Sequence, residues 1–525
     1  MDEFRTRPAL ERRAASIHVH IDGDKGPSSG DVVNASLHAI SSLFGHSTGM
    51  QATIIMSCII DNIDDSGRWS KVEHCKWMAA KAAEWTQYQY RYAVPTRLVE
   101  CLVEGQDASE PTARHSTLAA MVTTVFTSPI PLVNLSTSDM ISSLISLVFR
   151  RIAVSPTDGL LPALVECIAS LGTHVYYADQ IQDLAGELIS RIVVVESNGL
   201  PAATKADSER SRSQALRCLL AGLLGLMHAA DMHECLREDG SGSPRVAGTS
   251  ADLPSPSKPD MRDVHLRPSR RTPIPPEVWQ DTLILLCDRD YAVRADYAVA
   301  LVSYLRRETS KLGDRTDVDG PKRRWSLADG PTEKAHTTAA IAHGDATTRL
   351  LNALHAYIYV LATASNIDLH SYASNQERPT TSGNTREGPA GVDPDQSHDQ
   401  MSRRSLALSP RVRKTSFIMR AMANVPKRIS LSNPPAATLS DYGNMLAVLT
   451  AVQEHLPIRG LLTGVPMLLA LDNAICEGHE NRTATPFVPA ARQLVARTWK
   501  VIGEVWKCPD IIQRTEQVWC SDVLW

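Results

Sequence analysis

The sequence lacks an apolar run long enough to cross a bilayer. Its most apolar stretch, Leu216 to Ala230 ("LRCLLAGLLGLMHAA"), carries Arg217 and falls short of the about 20 residues a span takes. The N-terminus, "MDEFRTRPALERRAASIHVHIDGDKG", has no apolar core, which excludes a secretory signal. Cysteine is scarce and scattered. The closest two of ten, Cys508 and Cys520, are twelve apart and no C-x-x-C occurs, which excludes a clustered zinc site or a disulfide framework. Free thiols in a reducing compartment follow, and there the sequons at Asn34, Asn134 and Asn481 carry no weight. Charge of one sign is also missing: 54 basic residues face 58 acidic ones, for a net charge of −4. That balance removes the global signature of nucleic-acid binding. Period-2 alternation is rare, so few strands are expected.

Catalytic signatures are absent too. The chain has no Walker phosphate loop, no G-x-G-x-x-G turn, no H-E-x-x-H and no G-x-S-x-G elbow. Acidic residues are scattered without a pairing that acid–base work would need. The nearest metal-like group is His228, His233 and Cys235, but His233 lies at the edge of a loop and a fourth ligand is missing; His18 and His20 are weaker still. The expectation is a protein without cofactor or metal that is not an enzyme.

What remains is helical pattern. Apolar residues recur at spacings of three and four from Asn34 to about residue 233, broken by short turns. Residues 1–33 read as a disordered start. Residues 234–276, with "DGSGSPRVAGTSADLPSPSKPD", read as a disordered linker. Helical repeats are expected again over 277–365, with a loop at about 311–334. A second disordered stretch is expected over 366–437, and C-terminal helices over 438–525. The fold class is all-α, with 43% hydrophobic residues available for a core.

Aromatics make up only 5% of the chain, yet Trp85, Tyr88, Tyr90 and Tyr92 crowd into "AEWTQYQYRYAVPTRLVE". Met78, Trp85 and Tyr92 are seven apart, which predicts a buried stripe on one helix from about Lys71 to Tyr92. Pro95 suits the first turn of the next helix.

The segment "PEVWQDTLILLCDRDYAVRADYAVALVSYLRRE" names the packing unit more closely. Its first helix presents Val278, Thr282, Leu285 and Leu286. The turn "DRD" offers Asp290 as a cap, and the second helix presents Val293, Tyr297, Leu301 and Tyr304. The string Asp290, Val293, Arg294 and Ala298 resembles the second helix of a HEAT repeat, in which Asp and Arg form a ladder between neighbours and the small Ala admits close approach. "LLPALVECIASLG", followed by Ile181, Leu184, Leu188 and Ile192 on one face, fits the same plan. Helix pairs of this size bury their apolar faces by stacking, which predicts an ARM/HEAT-like α-solenoid with long disordered loops. A four-helix bundle or two separate helical domains is the alternative.

Between Asp399 and Asp441 there is no acidic residue, while Arg403, Arg404, Arg411, Arg413, Lys414, Arg420, Lys427 and Arg428 supply eight positive charges around Phe417, Ile418, Met419 and Met422. Such a segment can lie on an anionic membrane at about 1 kcal/mol per basic residue, dock on an acidic partner, or stay a solvated linker. Ser405, Ser416 and Ser430 follow basic residues there, and Ser326 follows Arg323 and Arg324. Each phosphate would add about −1.5 to −2 charges, so phosphorylation would weaken a hold on anionic lipid.

These blocks, with "PLVNLSTSDMISSLISLVFRR", "LGTHVYYADQIQDLAGELISRIV", "RLLNALHAYIYVLATA" and "LSDYGNMLAVLTAVQEHLPIRGLLTGVPMLLALD", together resemble the fungal branch of the eighty-five-requiring (rolling blackout) scaffold family, from about Leu43 to Asp472. The resemblance implies a peripheral scaffold on the cytoplasmic face of the plasma membrane, built of ARM/HEAT-like repeats. It implies recruitment of phosphatidylinositol 4-kinase through a tetratricopeptide-repeat adaptor, and synthesis of phosphatidylinositol 4-phosphate by the kinase, not by the scaffold. The family holds its membrane through a basic N-terminal patch. Residues 1–33 depart from that pattern, with Arg5, Arg7, Arg12 and Arg13 against Asp2, Glu3 and Glu11 and no cysteine. The expectation is of a chain lacking upstream repeats and their anchor. The alternatives are a generic HEAT-type adaptor and a lipid hydrolase with a dispersed triad.

Overall fold

A computed structural model describes residues 28–104, 110–173, 175–200, 205–240, 271–309, 345–374, 436–480 and 487–521. Among these residues the structure is all-helical, without strands. They fall in two compact units, one drawn from Met1–Leu147 and Asp158–Tyr176, the other from Val148–Thr157 and Tyr177–Trp525.

The first unit contains α1 (Ser29–His46), α2 (Gly49–Asp65), α3 (Val72–Trp85), α4 (Ala93–Glu104), α5 (Ala113–Thr127) and α7 (Leu161–Ser170). The helix α6 (Thr137–Val154) contributes residues to each unit. Several starts are written in the local sequence. Ser28 caps α1 with Asp31, Thr48 caps α2 with Gln51, and Thr112 caps α5 with His115, each reciprocally. Such capping boxes satisfy backbone N–H groups that have no partner inside the helix. Packing follows an alternating rule: α1 lies against α3, α3 against α5 and α5 against α7, while α2 lies against α4. At the centre, α5 is covered on several sides, and Leu118, Met121, Val122, Val125 and Phe126 are all buried.

The second unit holds α8 (Gln180–Asn198), α9 (Lys205–Gly240), α10 (Pro276–Gln280), α11 (Tyr291–Arg307), α12 (Ala346–Ser374), α13 (Leu439–His455), α14 (Pro457–Glu480), α15 (Phe487–Val505) and α16 (Pro509–Ser521). The rule repeats there. One series of neighbours is α9 on α11, α11 on α13 and α13 on α15; the other is α10 on α12 and α12 on α14. The predicted faces of Ile181, Leu184, Leu188 and Ile192 on α8, and of Val293, Tyr297, Leu301 and Tyr304 on α11, are buried throughout.

Several boundaries differ from the sequence reading. Helix α1 begins at Ser29, ahead of residue 34, because the Ser28 and Asp31 cap starts it. Helix α9 runs to Gly240 and α12 to Ser374, beyond the expected ends at 233 and 365. The continuous helix expected from Lys71 to Tyr92 is broken. Helix α3 stops at Trp85, Thr86 turns to extended backbone (φ −65°, ψ 139°), and a 3-10 turn spans Tyr88–Tyr90. Met78, Trp85 and Tyr92 are therefore only half-buried. The buried face of α3 is instead Cys75, Ala79, Ala82 and Ala83. The helix expected before "DRD" is also split, into the short α10 and a 3-10 turn at Leu283–Cys287.

Two helices contain stretches long and apolar enough to cross a membrane, Asp207–Met232 in α9 and Pro457–Cys476 in α14. The helix α9 thus extends well past the apolar run seen in the sequence. In these stretches 56% and 44% are buried within the chain, by α8 and α11 around α9 and by α12 and α15 around α14. Core helices of globular proteins meet the same test of length and composition.

Candidate functional site

The polar side chains buried in the second unit form a ladder built on the HEAT-like string. Asp290 sits at the N-cap of α11 and accepts from the backbone N–H of Ala292 at 2.9 Å. One turn on, Val293 is fully buried and Arg294 is nearly so. Arg294 donates from Nε and Nη2 to the two carboxylate oxygens of Asp441, at 2.9 and 2.7 Å. Its Nη1 donates to the carbonyl of Asp288 at 2.7 Å, and its guanidinium lies 5.6 Å from the centroid of the Tyr291 ring. Ala298, a turn later, is buried.

Asp441 belongs to the start of α13. It accepts from the backbone N–H and hydroxyl of Thr438 at 2.7 and 2.8 Å while its own N–H donates to the Thr438 hydroxyl. Burial opposes its ionisation, but the hydrogen bonds from Arg294 and Thr438 outweigh burial and hold the carboxyl below its ordinary range. The same rung continues toward α9. Arg212 donates to Asp288 at 2.7 Å, and Asp288 also accepts from the N–H of Asp290. So α9, the turn before α11, α11 and α13 are fastened in sequence by alternating charges.

A second cluster secures residues 271–274. Arg271 donates to both oxygens of Glu308 at 2.8 and 3.0 Å and to Asp231 at 2.6 Å. Glu308 also accepts from the N–H of Ile274, and Tyr304 donates to the Ile274 carbonyl. Burial pushes the Glu308 carboxyl upward despite these partners.

The remaining sequence candidates are placed as follows. His228 is exposed and its Nδ1 lies 2.9 Å from Nη2 of Arg307, a cationic neighbour that opposes metal binding. The side chains of His233 and Cys235 lie outside the described residues, as do His18, His20, Arg403, Arg404, Arg411, Arg413, Lys414, Arg420, Lys427, Arg428, Ser326, Ser405, Ser416 and Ser430. Among the described residues no group of three or more His, Cys, Asp or Glu is placed to hold a metal. Desolvation makes three thiols poor nucleophiles, pushing the buried Cys167 up to about 12, the buried Cys218 to about 11 and the half-buried Cys287 to about 12. Sequence reasoning found Arg294 but missed Asp441. In the sequence Asp441 stood only at the end of the stretch without acidic residues, with nothing to tie it to a residue so far upstream.

Fold and buried chemistry together define a helical protein whose charged side chains fasten neighbouring helices. The chain is 33% identical over 534 residues to Protein EFR3 of Cryptococcus neoformans var. neoformans serotype D, covering 96% of this chain and 47% of that protein. It is 31% identical over 351 residues to Protein EFR3 of Mycosarcoma maydis, covering 58% of this chain and 33% of that protein. With Protein EFR3 of Yarrowia lipolytica it shares 27% identity over 310 residues. The chain belongs to the fungal EFR3 family, and it spans about half the length of the curated relatives that it matches most extensively. No family model and no solved structure matches it.

Proposed function

We propose that this chain is part of a non-enzymatic peripheral scaffold that recruits phosphatidylinositol 4-kinase to the cytoplasmic face of the plasma membrane through a tetratricopeptide-repeat adaptor, and so supports synthesis of phosphatidylinositol 4-phosphate. The observation that carries the reading is the run of identity with EFR3 proteins along 96% of the chain. The alternating packing supports it from the physical side. In each unit a helix lies against the one two places further on, as in stacked helix pairs of an ARM/HEAT-like α-solenoid, an architecture that serves as an extended binding surface. The ion pairs Arg212–Asp288, Arg271–Glu308, Arg294–Asp441 and Arg459–Asp345 tie separate segments of the chain together, which agrees with a scaffold more than with a reaction centre.

In this reading the eight basic residues between Arg403 and Arg428 meet anionic lipid, and phosphorylation of Ser405, Ser416 and Ser430 weakens that contact. Ser326 is a further candidate site. The test is purification of the tagged chain from its own cells, probed for phosphatidylinositol 4-kinase and the adaptor. Co-purification of both supports the proposal. Loss of both from a chain that is folded and helical overturns it and leaves a generic HEAT-type adaptor.

A further inference from the structure

The outer face of α14 is apolar, exposed and free of charge over its first turns. Ile458, Leu462 and Leu469 are 39%, 52% and 53% exposed. Pro466 is exposed beside them, and Leu461 and Val465 are half-buried. From Pro457 to Leu471 only Arg459 carries a charge, and it is fully buried and donates to Asp345 at 2.6 Å. The inner side of the helix rests on α12, α13 and α15, while α16 packs on α15. A contiguous exposed apolar surface marks a place where another element docks. From Ile458 to Leu469 the face is about 17 Å long and at most about 12 Å wide, or about 200 Å². Each partner of a stable complex contributes about 800 Å², so this face alone is too small to hold a second copy or a free protein. An occupant already tethered nearby avoids most of the cost of association and arrives at a millimolar effective concentration.

We infer that residues 415–425 of this same chain seat on that face. They belong to the stretch 375–435 that joins α12 to α13, and both of those helices pack on α14. In "TSFIMRAMANV", Ile418, Met422 and Val425 recur at the spacing of one helical face with Phe417 and Ala421 beside them, while Ser416 and Arg420 fall opposite. This is the anchor pattern of an amphipathic segment laid on an apolar surface, and methionine adapts well to an irregular one. The tether is long enough. Residues 426–435 extend up to about 35 Å, more than the about 25 Å that α13, 17 residues long, places between Leu439 and the start of the face. Because the face carries no charge, it takes up the apolar residues and leaves Arg413, Lys414 and Arg420 in water.

Two measurements on the full chain test this. In the first, the photoreactive residue p-benzoylphenylalanine replaces Leu462, and its crosslinks are mapped by mass spectrometry with and without phosphatidylcholine vesicles. The expected product joins position 462 to residues 415–425 of the same chain, in a yield independent of protein concentration. A product between chains whose yield rises with concentration points to a second copy, and capture of lipid alone points to a bilayer. Either result, or no crosslink at all, overturns the proposal. The second measurement is amide hydrogen exchange. Exchange over residues 415–425 should be slowed about tenfold relative to the free peptide. In Leu462→Glu, Leu469→Glu that protection should vanish, while the amides of α14 itself keep theirs, because both side chains are exposed. Exchange at the free-peptide rate in the natural chain, or protection that survives the two glutamates, overturns the docking.

Discussion

Arg294 holds both carboxylate oxygens of Asp441, a residue 147 positions later in the chain, at 2.9 and 2.7 Å. Both side chains are almost fully buried, 4% and 1% exposed. Removing one partner leaves the other as an uncompensated buried charge, which costs about 3–5 kcal/mol. Arg294→Ala and Asp441→Asn should each lower stability by that order in urea unfolding. Arg294→Lys should fail as a substitute, because an ammonium cannot reproduce the planar two-point contact. The double change Arg294→Met, Asp441→Leu should recover most of the loss, since well-packed apolar pairs often match a buried ion pair. A double variant as unstable as the singles would show that the joint needs charge as such.

Trp279 anchors the short α10. It is fully buried, and its ring lies 4.4 Å from that of Tyr304 and 6.4 Å from that of Tyr297. Trp279→Ala should cost about 3–5 kcal/mol, the usual result of emptying a large aromatic site. The indole N–H has no partner among the described residues, so Trp279→Phe gives up volume without breaking a hydrogen bond. It should cost well under half as much, measured as the shift in unfolding midpoint at constant slope. Equal losses for the two variants would contradict this packing.

Much of the fold was legible because helical periodicity and caps are local signals. Asp290, Val293, Tyr297, Leu301 and Tyr304 lie where the string placed them. Two readings failed for physical reasons. Five apolar residues fit a 3-10 turn as well as an α-helix, so Leu283–Cys287 could not be told from a helical continuation; Thr282 bonds back to the Trp279 carbonyl at 2.7 Å where α10 ends. The seven-residue aromatic spacing held only for an unbroken helix, and Thr86 breaks it while its hydroxyl bonds to the Ala82 carbonyl. The face that is buried there is made of alanines and a cysteine, whose small size admits the close approach of α5 but gives little signal to a reading that looks for bulk. Of the candidate site, Arg294 was visible, whereas its partner depends on packing that no local pattern encodes.

His355 makes stability depend on pH. Burial lowers its pKa from 6.5 to about 4. Between those values the unfolded chain binds a proton that the folded chain does not, so stability is full above about 6.5 and falls as the pH falls toward about 4. At about 1.4 kcal/mol per unit, the change is about 3 kcal/mol. Asp441 adds to the loss at lower pH, where its depressed carboxyl finally takes a proton, while Glu308, with its pKa raised by burial, works in the opposite direction. His355→Leu should flatten the slope of unfolding free energy against pH across this window. An unchanged slope would show that His355 is not the group responsible.

Thiol reactivity should divide by burial. Cys58 and Cys476 are exposed, whereas Cys75, Cys101, Cys167 and Cys218 are buried. With its pKa near 12, Cys167 presents about one thiolate in ten thousand at pH 8. Labelling of the native chain with a thiol-reactive reagent, followed by peptide mass mapping, should modify Cys58 and Cys476 within minutes. Cys167 should react only at the rate of local opening. Rapid modification of Cys167 in the folded chain would contradict the packing of α5 on α7.

The basic segment gives a prediction tied to the proposed function. Between Arg403 and Arg428 there are eight positive charges and no acidic residue, worth about 1 kcal/mol each near an anionic bilayer. Phosphates on Ser405, Ser416 and Ser430 would together bring about −4.5 to −6 charges and cancel most of that attraction. A synthetic peptide of residues 399–441 should therefore bind phosphatidylserine-containing vesicles, release them as ionic strength rises, and bind far more weakly when triply phosphorylated. Vesicles of neutral lipid should take up neither form. Equal binding of the two forms to anionic vesicles would end the electrostatic account and leave the segment's charge to an acidic protein partner, a case in which the full chain would still co-purify with that partner after the lipid contact is lost.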